Sequence, residues 1–363
     1  MNSRAFRMTA LAAAVVIAFA VAFLSRQNDD RPGEIGNTSA TPTPEITSSA
    51  AAMPESARKI EDLLDRLQKR QVTPAQLLAF RDSLLNGDPK EVIPAIRAFL
   101  ATGKDVSTGY AFELGDGGSL ERAPTLRLLL LDVLGQLSRK SRTADASEVS
   151  KEILAAKNSS DEWAIALRNV AWHEPQSQGF LAAKFSEMIR YEPWRSQPST
   201  GFLEAFDVAV YSRQVAVMEP LNEMLGNPVS ELQRAAAVAL DRLADSAPLE
   251  VMQKLNSQPQ MFADHPFLRA DWFAKANLSE PMQRAAFEAY LARPDVTLAE
   301  KTKALKALAA PGQFISDNLL TPPPAQVEDE ARGEVILKAA QDWTVQFPGL
   351  AAPLATLRER LSQ

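Results

Sequence analysis

The segment from Asn227 to Asp245 carries the strongest helical pattern in the chain, and it limits what the rest can fold into. Its apolar residues recur at helical spacing and so share one face of an α-helix: Leu232, Ala235, Ala236, Ala239, Leu240 and Leu243. Charged side chains, among them Asp241 and Arg242, fall on the other side of the helix. The central alanines allow another helix to approach closely. The pattern therefore predicts a helix that needs helical partners.

A second amphipathic stripe lies upstream, in residues 217–225, so the sequence predicts two antiparallel helices joined near Asn227 and Pro228. The second of these helices resembles the second helix of a HEAT repeat. The residues that carry the resemblance are Asn227, Pro228, Leu232, Arg234, Ala235 to Ala237, Ala239, Leu240 and Leu243. A weaker match to the same pattern starts at Gly87-Asp88-Pro89, and the spacing between the two matches is irregular. The resemblance implies an all-α fold, an irregular HEAT-like solenoid of helical hairpins.

The N-terminus has the features of an export signal. Arg4 and Arg7 precede an uninterrupted apolar run at residues 9–24, close to the minimum length for a membrane span. Small residues at Ala20 to Ala22 offer a cleavage site, but the apolar run continues beyond them. Residues 1–24 are therefore predicted to be a signal anchor or a cleaved signal peptide, and the continued run favours the anchor.

Residues 25–54 are rich in Ser, Thr and Pro and are predicted to form a disordered linker with a reach of roughly 30 Å. Residues 55–363 are predicted to form the α-helical solenoid domain. With an anchor, the protein has a single N-terminal span in the bacterial inner membrane and a periplasmic C-terminal domain. With cleavage, the domain is released to the periplasm.

The chain contains 46% hydrophobic residues, 15 glycines and no cysteine, so a large helical core without disulfides has to stabilise it. Helical patterns cover residues 55–70, 74–85, 89–102, 124–137, 146–156, 161–172, 178–191, 201–211, 216–225, 229–244, 249–256, 266–276, 280–291, 298–308, 327–345 and 348–361. Helix 124–137 is apolar nearly all round and is interrupted by Asp132, which predicts deep burial.

Two stretches interrupt the helical pattern. Tyr110, Phe112 and Leu114 alternate before the glycine-rich residues 115–118, which predicts a short β-hairpin. The apolar face of the hairpin either covers the leucine-rich helix or docks a protein partner. The second stretch, residues 311–324, is predicted to be a loop that packs on the helices.

The sequence points to no catalytic, cofactor-binding or metal-binding residues. His173 and His265 stand near predicted helix ends, where structural roles are expected, and five tryptophans are expected mainly in the core. Trp194, between predicted helices, is the tryptophan expected to be most exposed. A formal net charge of −6 without a long basic run argues against nucleic acid as a partner.

These patterns predict a membrane-tethered, extracytoplasmic scaffold for protein–protein interaction or assembly. The expected contacts are a protein partner, through Tyr110, Phe112, Leu114 and Trp194, and the membrane, through residues 9–24. The alternative is an α/α-toroid enzyme acting on polysaccharide, in which tryptophans and carboxylates converge on a cleft.

Overall fold

The computed structural model describes residues 53–310, 318–322 and 329–362. The predicted signal or anchor segment, and the linker up to residue 52, lie outside these residues. Within the described residues the chain is mostly helical and contains a single two-stranded sheet, which confirms the all-α class with a small β-hairpin. No helix in this part of the chain has both the length and the hydrophobicity needed to span a membrane.

The first half of the domain contains ten helices among the described residues: α1 Glu55–Gln68, α2 Pro74–Leu85, α3 Pro89–Ala101, α4 Leu126–Ser141, α5 Asp145–Ile153, α6 Ser160–His173, α7 Gln178–Arg190, α8 Glu192–Arg195, α9 Thr200–Glu204 and α10 Asp207–Ser212. The second half continues with α11 Met218–Leu225, α12 Ser230–Ser246, α13 Pro248–Ser257, α14 Pro266–Phe273, α15 Pro281–Ala292, α16 Leu298–Leu308, α17 Asp329–Gln346 and α18 Ala351–Leu361.

Helices α2 and α16 begin and end where the sequence predicts. Thr73 and Gln76 form a reciprocal capping box at the start of α2, where Pro74 occupies the first turn. At α16 the Thr297 side chain accepts a hydrogen bond from the backbone N–H of Glu300. Both starts therefore satisfy backbone donors that a helix leaves unpaired.

The predicted helix 201–211 differs from the structure, because α9 and α10 are separate. The backbone N–H groups of Phe206, Val208 and Ala209 bond to carbonyls three residues back, so the chain tightens locally at the junction. Asp207 consequently opens α10. Trp194 lies within the short helix α8, and not in a connection between helices.

Helix α12 confirms the predicted apolar face, but its polar side is not wholly exposed. Asp241 is 8% exposed and Arg242 is 6% exposed, so part of the polar side of this helix is buried as well. Asp241 pairs with Lys275, which lies in the turn after α14, and Arg242 pairs with Asp207 of α10. Burial on two sides follows because α12 packs against α11 and also against α10 and α14.

Successive helices of the domain pack in a continuous order. We use the name central series for α4, α6, the pair α9–α10, α12, α14, α16 and α18, in which each member contacts the next. Four further helices pack beside it: α3 on α4, α5 on α6, α7 on α10, and α11 on α12. Eleven of the sixteen residues of α4 are buried, which matches its predicted place in the core.

The β-hairpin lies between α3 and α4 in the chain. Strand β1, Glu113–Leu114, pairs antiparallel with β2, Leu120–Arg122, and Leu114 stands opposite Leu120. A 3₁₀ turn at Asp116–Gly118 connects them, with φ of +76° at Gly118. The hairpin is confirmed, although β1 covers only the end of the alternating stretch 110–114, and β2 packs on α4.

Candidate functional site

A buried ion pair joins two members of the central series beneath the hairpin. Arg168 of α6 donates from Nη1 to Oδ1 of Asp132 of α4 at 2.6 Å, and the two side chains are 0% and 1% exposed. Gln136 donates to the other carboxylate oxygen at 2.7 Å, and Arg168 donates to Asn169 Oδ1 at 2.8 Å. Burial lowers the pKa of Arg168, and the Asp132 carboxylate opposes that shift. The guanidinium stays charged and is fully enclosed.

This pair holds the hairpin by its backbone. The Leu120 N–H donates to Asp132 Oδ1 at 3.1 Å, and Arg168 Nη1 donates to the Gly118 carbonyl at 2.7 Å. The acid therefore satisfies a backbone donor and the base satisfies a backbone acceptor. We call Asp132 and Arg168 the hairpin clamp.

A second pair holds a second non-helical segment in the same way. Asp207 of α10 accepts a hydrogen bond from Nη1 of Arg242 of α12 at 2.9 Å. Asp207 Oδ2 also accepts from the backbone N–H groups of Leu320, at 2.7 Å, and Thr321, at 2.8 Å. Arg242 bonds the Thr321 hydroxyl. We call Asp207 and Arg242 the segment clamp.

The segment that this clamp holds, residues 318–322, is anchored by one side chain. Leu319 is 0% exposed, while Leu320 and Thr321 are half-buried and Pro322 is exposed. Asn318 donates from Nδ2 to the Thr321 carbonyl at 3.1 Å. The segment is therefore fixed by main-chain hydrogen bonds and one apolar anchor.

The acid and base of each clamp are separated by nearly the same sequence distance. The separation is 36 residues in the hairpin clamp and 35 in the segment clamp, and a third pair, Asp241 with Lys275, has a separation of 34. Lys275 Nζ lies 3.0 Å from Oδ2 of both Asp241 and Asp245. Burial raises the pKa of Asp241 to about 6, against the opposing effect of Lys275. A charged pair thus recurs between neighbouring members of the central series, in the third case through Lys275 in the turn after α14.

The hairpin and segment 318–322 also touch each other. A Cβ placed on Gly118 would lie 2.0 Å from the Leu319 carbonyl oxygen, which is far inside van der Waals contact. Only glycine fits there, and its positive φ adds to the requirement. Two segments about 200 residues apart in sequence therefore pack together on the central series.

A pocket of ≈ 250 Å³ opens beside the segment clamp, between α9–α10 and α12. Its apolar walls include Leu203, Phe206, Val210 and Val238, and further lining residues are Glu204, Asp207, Glu231, Arg234, Ala235, Ala239, Arg242 and Asn318. Burial raises the pKa of Glu204, and the nearby Asp207 carboxylate raises it further.

The hairpin residues predicted to bind a partner all pack on the hydrophobic core. Phe112 is buried against Gly201, where an added Cβ would lie 2.8 Å from the Phe112 ring. Tyr110 and Leu114 are half-buried against the same core. The apolar face of the hairpin therefore lies against the domain itself.

Trp194 is half-buried and belongs to an aromatic cluster. Its ring centroid lies 5.4 Å from that of Trp163 and 4.9 Å from that of Tyr191, both in edge-to-face geometry. Trp194 does not line the pocket that contains Glu204. The enzymatic alternative would bring a tryptophan and carboxylates together in one cleft. At this pocket Glu204 is present and Trp194 is not.

Comparisons with known proteins found no matching family model, no matching curated protein and no matching solved structure. Among the described residues, no group of three or more His, Asp or Glu side chains is placed to hold a metal ion. The geometry of the clamps and the pocket is therefore the basis for a functional proposal.

Sequence reasoning singled out Asp132 as an interruption of an apolar helix, but it missed the other clamp residues. Arg168, Asp207 and Arg242 look like ordinary polar residues of amphipathic helices. A usable signal was present in the recurring separation of 34 to 36 residues between acid and base, which falls in the range of helical repeat lengths.

Proposed function

We propose that this protein is a HEAT-like helical scaffold that binds extended polypeptide segments of other proteins on its central series. The proposal is supported by the sequential packing of the helices and by the recurrence of a charged pair between neighbouring members. Stacked helical pairs create an extended surface for recognition without supplying a reactive group.

The observation that carries this proposal is the way in which residues 318–322 are bound. Extended peptide ligands are commonly held by main-chain hydrogen bonds, with pockets for selected side chains giving specificity. Segment 318–322 bends at Leu319 and Leu320 but is held in a comparable way: Asp207 accepts two consecutive backbone N–H groups, and the Leu319 side chain is completely buried. We interpret the segment as an internal occupant of a peptide-binding site.

The test is to vacate the site in the full chain and to offer the segment back as a free peptide. Residues 318–322 are replaced by Gly-Ser-Gly-Ser-Gly, and binding of a fluorescent peptide with the sequence of residues 316–324 is followed by anisotropy. A tethered segment competes at an effective concentration of about 1 mM, so wild type should bind the peptide far more weakly than the vacated chain.

Three controls make the result specific. A scrambled peptide should not bind, and Asp207→Asn in the vacated chain should weaken binding because it removes the charged acceptor of both N–H groups. Glu250→Gln, at an exposed position of α13, should leave binding unchanged. A vacated chain that keeps its helical circular dichroism but fails to bind the peptide would refute the proposal.

The hairpin is a further candidate contact with partners. Its apolar side chains Tyr110 and Leu114 retain partial exposure, and strand addition at its edge is the mode we propose. Trp194, also half-buried, extends this proposed contact. Photo-crosslinkers at positions 110, 114 and 194 should give the same discrete adduct if these residues share a partner.

We propose further that residues 1–24 tether the scaffold to the bacterial inner membrane and that the domain lies in the periplasm. This rests on the apolar run at residues 9–24 and the arginines before it. A reporter fused after Pro54 should report export, and mass spectrometry of the native N-terminus separates an anchor from a cleaved signal. A cytoplasmic reporter signal would contradict the tether.

A further inference from the structure

The pocket beside the segment clamp contains an acid with no charged partner. Its lining includes three acids and two bases: Glu204, Asp207 and Glu231, with Arg234 and Arg242. Asp207 and Arg242 pair with each other, and Arg234 acts on the exposed Glu231, whose pKa is lowered mainly by a backbone hydrogen bond. The remaining negative charge of the pocket belongs to Glu204.

Glu204 is half-buried and makes no hydrogen bond or ion pair with any described residue. An ionised carboxylate that is withdrawn from water without a partner is unfavourable, and burial accordingly raises the pKa of Glu204. A cation placed in the pocket would relieve this cost. The electrostatics of the pocket therefore favour a positively charged occupant.

The size and walls of the pocket limit what that occupant can be. At ≈ 250 Å³ the pocket is smaller than the roughly 300–1,000 Å³ typical of sites for drug-sized molecules. Phe206, Val210 and Val238 provide apolar walls. Lysine and arginine side chains bury their methylene stems against such surfaces while the charged head meets a polar group.

We infer that this pocket is a socket for one lysine or arginine side chain of a protein partner, with the stem against Phe206 and Val210 and the cationic head paired with Glu204. The inference rests on the proposed peptide-binding function and specifies its ligand. Asn318 lines the pocket directly before the buried anchor Leu319. The partner's basic residue therefore takes the place of Asn318, one position before an apolar anchor.

The first experiment compares peptides on the vacated full chain. The peptide of residues 316–324 is made with asparagine, lysine, norleucine or glutamate at the position of Asn318. Lysine should bind at least about tenfold more tightly than norleucine, because it adds a charge-assisted hydrogen bond to a similar stem. Glutamate should bind most weakly. Glu204→Gln should remove most of the preference for lysine, while Glu250→Gln should retain it.

The outcomes separate this inference from the proposed function. Peptides that bind without a preference for lysine would overturn the socket and leave peptide binding intact. Failure of every peptide to bind a folded, vacated chain would overturn both.

A second experiment avoids the vacated chain, in case that variant does not fold. Asn318→Lys and Asn318→Met are compared in the otherwise unaltered protein, so both lose the asparagine amide and both place a long stem at the pocket. The lysine variant should be the more stable of the two, with a folding equilibrium constant larger by roughly tenfold. This gain should vanish in a Glu204→Gln background. Equal stabilities of the lysine and methionine variants would overturn the socket.

Discussion

The hairpin clamp and the segment clamp use the same chemistry in different surroundings. In each, an aspartate accepts backbone N–H donation from a non-helical segment, and an arginine of the next member of the central series pairs with it. The hairpin clamp has side chains 0% and 1% exposed and extra partners in Gln136 and Asn169. The segment clamp is 6% and 4% exposed and borders an open pocket.

The difference indicates which of the two segments can exchange with a partner. Replacing the hairpin would uncover a completely buried charge pair, whose separation is strongly unfavourable. Replacing segment 318–322 would uncover a pair that already lies at the edge of a pocket and that a similar peptide could satisfy again. On the proposed function, the hairpin clamp therefore has a structural role and the segment clamp has a recognition role.

The largest effect is expected from Asp132→Leu. This change leaves Arg168 fully buried without its counter-charge, which should lower the free energy of unfolding by about 3–5 kcal/mol. Urea denaturation of the full chain measures it. The double variant Asp132→Leu/Arg168→Met should be less destabilised than the single variant, since it no longer buries the unpaired Arg168 guanidinium. An unchanged urea midpoint for Asp132→Leu would contradict the structural role of this clamp.

The third charged pair should make stability depend on pH. The folded-state pKa of Asp241 is raised to about 6 from 3.8, so the folded state binds the proton more tightly than the unfolded state does. The contribution of Asp241 to stability is then fully present below about pH 4 and is lost as the pH rises through about 6. Over two pH units this amounts to about 3 kcal/mol.

The measurement is the difference in unfolding free energy between Asp241→Asn and wild type at several pH values. The variant does not titrate at this position. Its unfolding free energy relative to that of wild type should therefore increase as the pH rises from about 4 to about 6. Asp245 remains as a partner for Lys275 in the variant. Parallel pH curves for the two proteins would show that Asp241 is not perturbed in the folded state.

A smaller effect is expected at the segment clamp. Arg242→Met removes the charged partner of Asp207, but water can reach the site from the pocket, so the loss should be about 1–3 kcal/mol. Amide hydrogen exchange at Leu320 and Thr321 should accelerate, because the Asp207 carboxylate that accepts both N–H groups is no longer held in place by Arg242. Exchange at Leu120, in the hairpin, is the internal control. Equal acceleration at Leu120 would remove the distinction between the clamps.

The smallest effect is expected at the hairpin residues that keep partial exposure. Leu114→Ala should cost about 1 kcal/mol, since only part of the side chain is withdrawn from water. Phe112→Ala, at a buried position, should cost about 3–5 kcal/mol and serves as the comparison. Thermal denaturation distinguishes them. Similar melting temperatures for the two variants would argue against the deeper burial of Phe112 than of Leu114.

Local sequence signals predicted the elements, and they failed where distant residues determine the environment. Capping residues located α2 and α16, and the alternating apolar residues before a glycine-rich turn located the hairpin. The burial of Asp241 and Arg242 was missed because a single amphipathic helix gives no indication that its polar side meets other helices. The segment clamp joins residues 113 positions apart, which no local pattern encodes.

That separation also sets an order for folding. Asp132 and Leu120 are 12 residues apart, whereas Asp207 and Leu320 are 113 apart. Closing the longer loop costs about 2 kcal/mol more in chain entropy, so the hairpin should dock early and segment 318–322 late. During synthesis, α10 and α12 leave the ribosome before residue 318 does. For that interval residues 320 and 321 are not there to donate to the Asp207 carboxylate, and on the proposed function the site is then open to another polypeptide.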